Sequence, residues 1–187
     1  MGAGVIPLTI NNGELLFLFQ KTFSGRKTGY LIDFGGGLGK GEDYRATAMR
    51  EFVEETETMY LGDDLKTASR SDARITRQLV QVDKIFEQTL SAHPHWWRRR
   101  KPGNGDKPKD WVSYFIEFPF RNIHMMNSEW QSDTSGRFKK RRELVWVPVD
   151  RLLDIYARSP DRLWTRVREL EDVETLIRDI RSSLLPS

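Results

Sequence analysis

The chain has 187 residues, 38% of them hydrophobic and 30% charged, with 30 Lys and Arg against 27 Asp and Glu and no cysteine. The apolar content excludes general disorder, and the missing cysteines exclude disulfides, thiolate metal ligands and a cysteine nucleophile. No apolar run reaches the roughly 18 residues of a membrane span, and the first residues lack the basic region of a signal peptide. We therefore expect one cytoplasmic domain covering residues 1–187.

The first third of the chain predicts strands that lead into a glycine-rich turn and a helix. Apolar runs over 5–10 and 14–20 flank Asn12-Gly13, a dipeptide typical of β-hairpin turns. A third short strand is predicted over 30–34, directly before three glycines. Behind the glycines, apolar residues recur at helical spacing and predict a helix over about 44–55.

The rest of the chain alternates apolar segments with polar ones. Segments rich in β-branched and aromatic residues predict strands, and these cover 78–90, 111–120 and 144–149. The polar stretches predict irregular structure, and these cover 62–76, 91–110 and 121–142.

A closing helix is predicted after Ser159-Pro160-Asp161, which offers an N-cap followed by proline at the first helical position. Its apolar stripe runs from Leu163 to Leu184, with charged residues on the other faces. Strands and helices are thus mixed along the chain, which favours an α/β (α+β) fold with a mixed β-sheet between helices.

Basic residues gather in two clusters. The first runs over Arg98-Arg99-Arg100-Lys101 and continues to Lys107 and Lys109, and the second is Lys139-Lys140-Arg141-Arg142. Each cluster is either a solvated loop or a polyanion site, because clustered cations concentrate phosphates. Aromatic rings beside cations suit a nucleobase stacked above its phosphates, and the tryptophans around the first cluster are either such rings or part of the core; they are Trp96, Trp97 and Trp111.

The most informative segment is 35–58, GGGLGKGEDYRATAMREFVEETET, which joins a glycine turn to a glutamate-rich helix. Glu51, Glu54 and Glu55 stand at i, i+3 and i+4, which places the carboxylates on one helix face within about 6 Å of each other. Like charges so close repel unless a cation offsets them, and Mg²⁺ prefers carboxylate oxygens. The triplet alone also fits a solvated acidic face, and the glycines match neither the P-loop nor the dinucleotide fingerprint.

The wider spacing resembles the Nudix box. Gly36 is followed after five residues by Glu42 and after seven more by Arg50-Glu51-Phe52-Val53-Glu54-Glu55. The segment 146–152, WVPVDRL, also looks like part of the usual Nudix frame. The resemblance implies a Nudix-type α/β/α sandwich with a mixed sheet, and a hydrolase that acts on acid anhydrides in phosphorus-containing compounds.

The sequence departs from the box at its end and just before its glycines. Glu57 stands where the final box glycine is expected, Thr58 occupies the following aliphatic position, and Phe34 replaces a common proline. Glycine suits the left-handed turn that ends a helix, so we expect this helix to run on or to close differently.

The family resemblance also implies residue roles. Glu51, Glu54, Glu55 and the Gly35 carbonyl would hold Mg²⁺ or Mn²⁺, with Glu54 and Glu55 the principal ligands and Glu51 a further ligand or general base. Arg50 would orient these carboxylates and Glu42 would brace the loop as a structural box residue. Many Nudix enzymes add a catalytic carboxylate from outside the box, for which Glu143 and Glu129 are candidates.

Substrate contacts are expected from the glycine turn and from the first basic cluster: Gly36, Gly37, Lys40, Trp97, Arg98, Arg99 and Arg100. The implied reaction is water attack on phosphorus in a nucleoside diphosphate derivative such as ADP-ribose, a nucleotide sugar, a dinucleoside polyphosphate or a nucleoside triphosphate. One alternative is a diphosphoinositol polyphosphate or capped RNA, and another is a catalytically silent nucleotide sensor. Apart from a capped 5′ end, neither nucleic acid nor a membrane is an expected partner, and a homodimer is left open.

Overall fold

The computed structural model describes residues 1–102 and 110–187. Its strands are β1 (Gly2–Asn11), β2 (Glu14–Thr22), β3 (Phe34–Gly37), β4 (Trp97–Arg99), β5 (Trp111–Glu117) and β6 (Arg142–Pro148). Its helices are α1 (Tyr44–Glu55), α2 (Asp72–Ala92), α3 (Ile123–Ser132), α4 (Val149–Arg158), α5 (Thr165–Arg168) and α6 (Val173–Leu184), with a short 3₁₀ turn at Pro160–Arg162. Lys107 and Lys109 of the first basic cluster lie outside the described residues.

The strands form one mixed sheet in the order β4-β5-β1-β2-β6, and β3 also pairs with β1. Only the β1–β5 pair among the described strands is parallel. The predicted hairpin is confirmed: Asn12 and Gly13 connect β1 to β2 with φ values of 51° and 79°, as a type I′ turn requires.

Helices cover both faces of the sheet. On one face, α1, α2 and α3 pack through residues such as Phe52, Phe86 and Trp130. On the other face, α4, α5 and α6 pack through residues such as Leu152 and Ile177. The predicted mixed sheet between two helical layers is therefore confirmed. No described helix has both the length and the apolar character that a membrane span requires.

The helix predicted over 44–55 is confirmed, but the strand predicted over 78–90 is wrong. This segment belongs to α2, whose buried positions Gln78, Val82, Phe86 and Thr89 recur at helical spacing. Packing of this stripe against the core overrides the β propensity of its valines and isoleucines. The irregular stretch predicted up to 76 accordingly ends earlier, where the Ser71 side chain caps α2.

The loop predicted over 121–142 is wrong in its first half, which forms α3. The Asn122 side chain caps this helix, and Ile123, Met126 and Trp130 form its buried stripe. The third strand also lies later than the predicted range 30–34, because β3 pairs with β1 only over Phe34–Gly37.

The predicted closing helix is wrong as one continuous element, and α4 before it is missed. The break lies at 169–171, where the backbone bonds to the chain around β4: Lys101 N donates to Glu169 O at 2.8 Å, and Glu171 N donates to Arg99 O at 2.8 Å. Asp172 follows with a φ of 44°, and α6 begins after it. Pairing of 169–171 with the chain around β4 therefore interrupts an apolar stripe whose spacing predicts one continuous helix.

Candidate functional site

The loop between β3 and α1 is fixed by Glu42. One carboxylate oxygen of Glu42 accepts hydrogen bonds from Gly39 N at 2.9 Å and from the Thr47 hydroxyl at 2.8 Å. Arg50 Nε donates to the other oxygen at 2.7 Å. The hydrogen bond from Arg50 is the main reason that the pKa of Glu42 falls to about 2. Glu42 thus stays ionised and ties the loop to the helix.

Arg50 lies at the centre of the α1 carboxylates. Its Nη1 atom is 2.9 Å from Glu51 Oε1 and 3.3 Å from Glu54 Oε2. Glu54 is also paired with Arg70, at 2.9 Å. The acidic partners of Arg50, with Glu42 first, raise the pKa of its guanidinium above its ordinary value. Arg50 and Arg70 therefore offset the repulsion that the spacing of Glu51 and Glu54 predicts.

Glu51 and Glu55 lie against the glycines of β3. A Cβ at Gly36 would overlap the Glu51 carboxylate, so only glycine lets that side chain approach the strand. Glu55 Oε2 accepts hydrogen bonds from Gly35 N at 2.9 Å and from Gln20 Nε2 at 2.6 Å. Burial, opposed by nearby arginines, raises the pKa of Glu55 above its ordinary value.

Arginines from the second half of the chain approach the same carboxylates. Arg166 donates to Asp33 Oδ1 at 2.6 Å and to the Gly35 carbonyl at 2.9 Å, while its guanidinium lies over the Trp111 ring. Arg142 Nη2 is 3.7 Å from Glu55 Oε1. No sequence motif marks Arg166, whereas Arg142 belongs to the second basic cluster.

Lysines add positive charge beside Glu55. Lys27 lies over the Trp164 ring, with Nζ 5.6 Å from the ring centroid. Burial first, then the charge of Arg166, lowers the pKa of Lys27, and Lys140 adds to this effect. Glu55 and Asp33 oppose the shift, which places Lys27 among the charged groups of the site. No sequence motif marks Lys27.

Glu57 ends the acidic segment inside the protein. The helix stops at Glu55, and both Glu57 and Thr58 adopt left-handed backbone, with φ values of 53° and 58°. The box therefore closes with the turn that glycine favours, although no glycine is present. Arg142 Nη1 is 3.6 Å from Glu57 Oε1, and burial raises the pKa of the Glu57 carboxyl above its ordinary value.

Comparison with known families identifies the chain. A sequence model of the NUDIX domain matches residues 1–167. The chain belongs to the Nudix family.

Similar solved structures include a C. elegans Ap4A hydrolase in a binary complex, with 12% identity, a TM-score of 0.49 and 98% of each chain covered. A NUDIX hydrolase from Alicyclobacillus acidocaldarius is 16% identical with a TM-score of 0.49, covering 98% of this chain and 95% of its own. Among curated proteins, an uncharacterized protein of Acanthamoeba polyphaga mimivirus is 44% identical over 61 residues. That match covers 31% of this chain and 20% of the viral protein, so the chain matches about a fifth of that relative's length.

The described arginines of the first basic cluster have partners other than the α1 glutamates, and Arg99 also lies over the ring of Tyr44 at the start of α1. Arg99 pairs with Asp110 at 2.8 Å and Arg100 pairs with Glu169 at 2.6 Å, while Arg98 donates to neighbouring backbone carbonyls. Trp97 is 37% exposed on the edge strand β4. A substrate contact by these four residues stays a prediction. Trp96 and Trp111 are buried, so these two rings are part of the core, which was the alternative to base stacking.

The remaining predicted site residues lie at different distances from the box. Gly37 O accepts a hydrogen bond from Arg50 Nη2 at 3.3 Å, and Lys40 is exposed on the loop before α1. Glu143 lies beside Arg142 on β6, and successive strand residues point to opposite faces. Glu143 lines a cavity of about 490 Å³ with Trp146 and residues of α3. Glu129, the other candidate carboxylate, pairs with Arg137 at 2.6 Å.

The carboxylates of the box helix, Glu51, Glu54 and Glu55, suit a hard divalent cation. Within residues 1–102 and 110–187, no group of three or more His, Asp or Glu side chains forms a ready-made metal cage. Mg²⁺ does not need one, since it is often held by one or two carboxylates together with waters and substrate phosphates. Glu51 and Glu55 lie beside β3 and supply such a pair. Arg50 contacts both Glu51 and Glu54, and Glu54 is also held by a second arginine, Arg70.

Proposed function

We propose that this Nudix hydrolase cleaves a phosphoanhydride bond of a nucleoside diphosphate derivative by water attack on phosphorus. The observation that carries the proposal is the placement of Glu55. One oxygen of its carboxylate accepts a hydrogen bond from Gly35 N, and Arg142 lies 3.7 Å from the other oxygen. Lys27 also interacts with this carboxylate by charge. A carboxylate for the metal and cations for the phosphates are thus next to each other.

Glu51 and Glu55 are the proposed metal ligands. Mg²⁺ or Mn²⁺ held there would neutralise the diphosphate and activate water for attack. Hydrogen bonds within the protein hold both carboxylates in place before a substrate binds. Gln20 and Gly35 N fix the Glu55 carboxylate, and Arg50 fixes Glu51. Such preorganisation lowers the barrier because little rearrangement remains for the transition state. We propose Glu51 as the group that accepts the proton of the attacking water.

Lys27 and Lys140 are the proposed phosphate contacts. Lys27 forms no carboxylate ion pair within the described residues, although a partly buried ammonium normally has a partner. A substrate phosphate would supply it. Beside Lys27, the rings of Tyr30 and Trp164 meet edge to face with centroids 5.4 Å apart, and both are partly exposed. An aromatic surface next to phosphate-binding cations favours a nucleoside substrate over an inositol derivative.

The test is a substrate panel with Mg²⁺, followed by phosphorus NMR. The panel contains ADP-ribose, a nucleotide sugar, a dinucleoside polyphosphate, a nucleoside triphosphate, a diphosphoinositol polyphosphate and a capped RNA. Hydrolysis in ¹⁸O-labelled water should place the label in a phosphate product, and Glu55→Gln should lower turnover at least about 100-fold. Glu87→Gln is the matched control, since Glu87 is an exposed glutamate paired with Arg45 and its loss should leave turnover unchanged.

Three outcomes would contradict the proposal. Turnover confined to the inositol compound or to capped RNA would replace the nucleotide substrate class. Binding of ligands without turnover on any member of the panel would indicate a sensor instead of an enzyme. Full activity of Glu55→Gln would remove Glu55 from the reaction.

A further inference from the structure

Glu57 is a buried carboxylate at a position where its backbone conformation favours glycine. Its φ is 53°, a left-handed value that side chains with a Cβ rarely adopt. The residue is fully buried, and within 1–102 and 110–187 neither carboxylate oxygen has a hydrogen-bond partner of ordinary geometry, although the backbone N–H of Lys139 approaches the carboxylate. Burying such a group is unfavourable unless a charge compensates it. A role in ending the helix does not explain this glutamate, since glycine would fill that role without strain.

Arg142 is the main compensating charge, with smaller contributions from Arg70 and Lys139, and it is shared with the Nudix box. Its guanidinium is 3.6 Å from Glu57 and 3.7 Å from Glu55, and the residue is only 7% exposed. Its Nε and Nη1 atoms form no hydrogen bond with the described residues. The arginine therefore interacts with two carboxylates through charge, without a directed bond that would commit it to either.

Only one of these two carboxylates is a proposed metal ligand. Glu55 is a proposed metal ligand, whereas Glu57 lies beyond the helix end. A cation paired only with Glu55 would repel a divalent metal and compete with it for the carboxylate. Glu57 supplies a second negative charge at nearly the same distance from Arg142, which offsets the cation without using Glu55.

We propose that Glu57 is a positioning residue that neutralises and holds Arg142, so that Glu55 stays available to a divalent metal. This inference rests on the proposed function, because it requires Glu55 to be a metal ligand. It assigns a purpose to the departure of this chain from the Nudix box. The glutamate at the box-glycine position and the arginine at the start of β6 act as one unit.

Metal affinity can be measured without turnover, by following the free Mn²⁺ signal in electron paramagnetic resonance titrations. Glu57→Gln should weaken Mn²⁺ binding about tenfold, because the charge of Arg142 then acts on Glu55 alone. Glu57→Gly should weaken it to a similar extent, since glycine adopts the left-handed turn without strain and removes the same carboxylate. Glu87→Gln, which removes an exposed carboxylate elsewhere, should leave Mn²⁺ affinity unchanged.

A double-mutant cycle tests whether the effect passes through Arg142. In an Arg142→Gln background, Glu57→Gln should no longer weaken Mn²⁺ binding, because the charge that it releases is absent. Wild-type Mn²⁺ affinity in both Glu57 variants would overturn the inference, as would an equal loss with and without Arg142.

Glu55→Gln separates this inference from the function on which it rests. If that variant loses Mn²⁺ while the Glu57 variants keep it, the metal site stands and only the role of Glu57 fails. If Glu55→Gln binds Mn²⁺ as the wild type does, the proposed metal site fails as well.

Discussion

Glu42 fixes the β3–α1 loop through hydrogen bonds that also lower its pKa. It accepts from Gly39, Thr47 and Arg50, and all of these bonds favour the ionised form. Box spacing predicts its bracing role, because Glu42 and Arg50 are both box positions. Lys27 and Gln20 also contact or approach the site, but they lie in segments where no motif fixes their position relative to Glu55.

The pKa of Glu42 leads to a prediction about acid stability. The pKa falls from 4.5 to about 2 on folding, so the ionised carboxylate stabilises the fold above pH 4.5 and loses that contribution as the pH falls toward 2. The shift corresponds to at most roughly 3 kcal/mol. Glu42→Gln should therefore lower the free energy of unfolding at pH 7. Between pH 4.5 and 2, urea titrations should show a smaller loss of stability for the variant than for the wild type. Parallel curves would show that Arg50 does not stabilise this carboxylate.

Among the elements, the hairpin and α1 could be predicted because their signals are local. Asn12-Gly13 specifies a turn and Asp43 caps a helix, with its side chain accepting from Ala46 N at 2.7 Å. The polar composition of α3 indicates irregular structure, so this helix could not be predicted. The second half of α2 could not be predicted either, because its valine, isoleucine and phenylalanine residues also suit strands. Only the packing partner decides between the two forms. For the same reason, the break at 169–171 depends on β4, a strand about 70 residues earlier in the chain.

Strand β6 has an outer edge that α3 partly protects. The Asn127 side chain accepts from Leu144 N at 2.8 Å and donates to Leu144 O at 3.0 Å, in the manner of a neighbouring strand. Uncovered edges promote aggregation. Asn127→Ala should lower the free energy of unfolding by about 2 kcal/mol, because both backbone groups lose their partners, and should increase light scattering on heating. Asn127→Asp keeps one acceptor, so its free energy of unfolding should lie between those of the wild type and Asn127→Ala. An unchanged urea midpoint in the alanine variant would show that solvent replaces the amide without loss.

At the scale of the whole molecule, the near balance of charge hides a segregation. Acidic residues of α1 gather at the centre, and arginines from distant segments surround them, with Arg142 near Glu55 and Arg166 on Asp33 and Gly35. The sequence predicts the acidic half, since the box is contiguous. Of the basic half it predicts only the second basic cluster, with Arg142. It does not predict Arg166, because tertiary folding alone brings this residue to the Gly35 carbonyl 131 positions earlier.

Arg166 joins the C-terminal helices to the strand that carries the site, which allows a prediction about the whole fold. Asp33 is fully buried, and Arg166 Nε lies 2.6 Å from its carboxylate. Arg166→Met should lower the free energy of unfolding by about 3 to 5 kcal/mol, because it leaves a buried charge without its partner. Asp33→Asn combined with Arg166→Met should recover part of that loss in urea unfolding, since no net charge then remains buried. If the double variant were less stable than Arg166→Met, packing of Arg166 on Trp111, and not its charge, would connect the two layers.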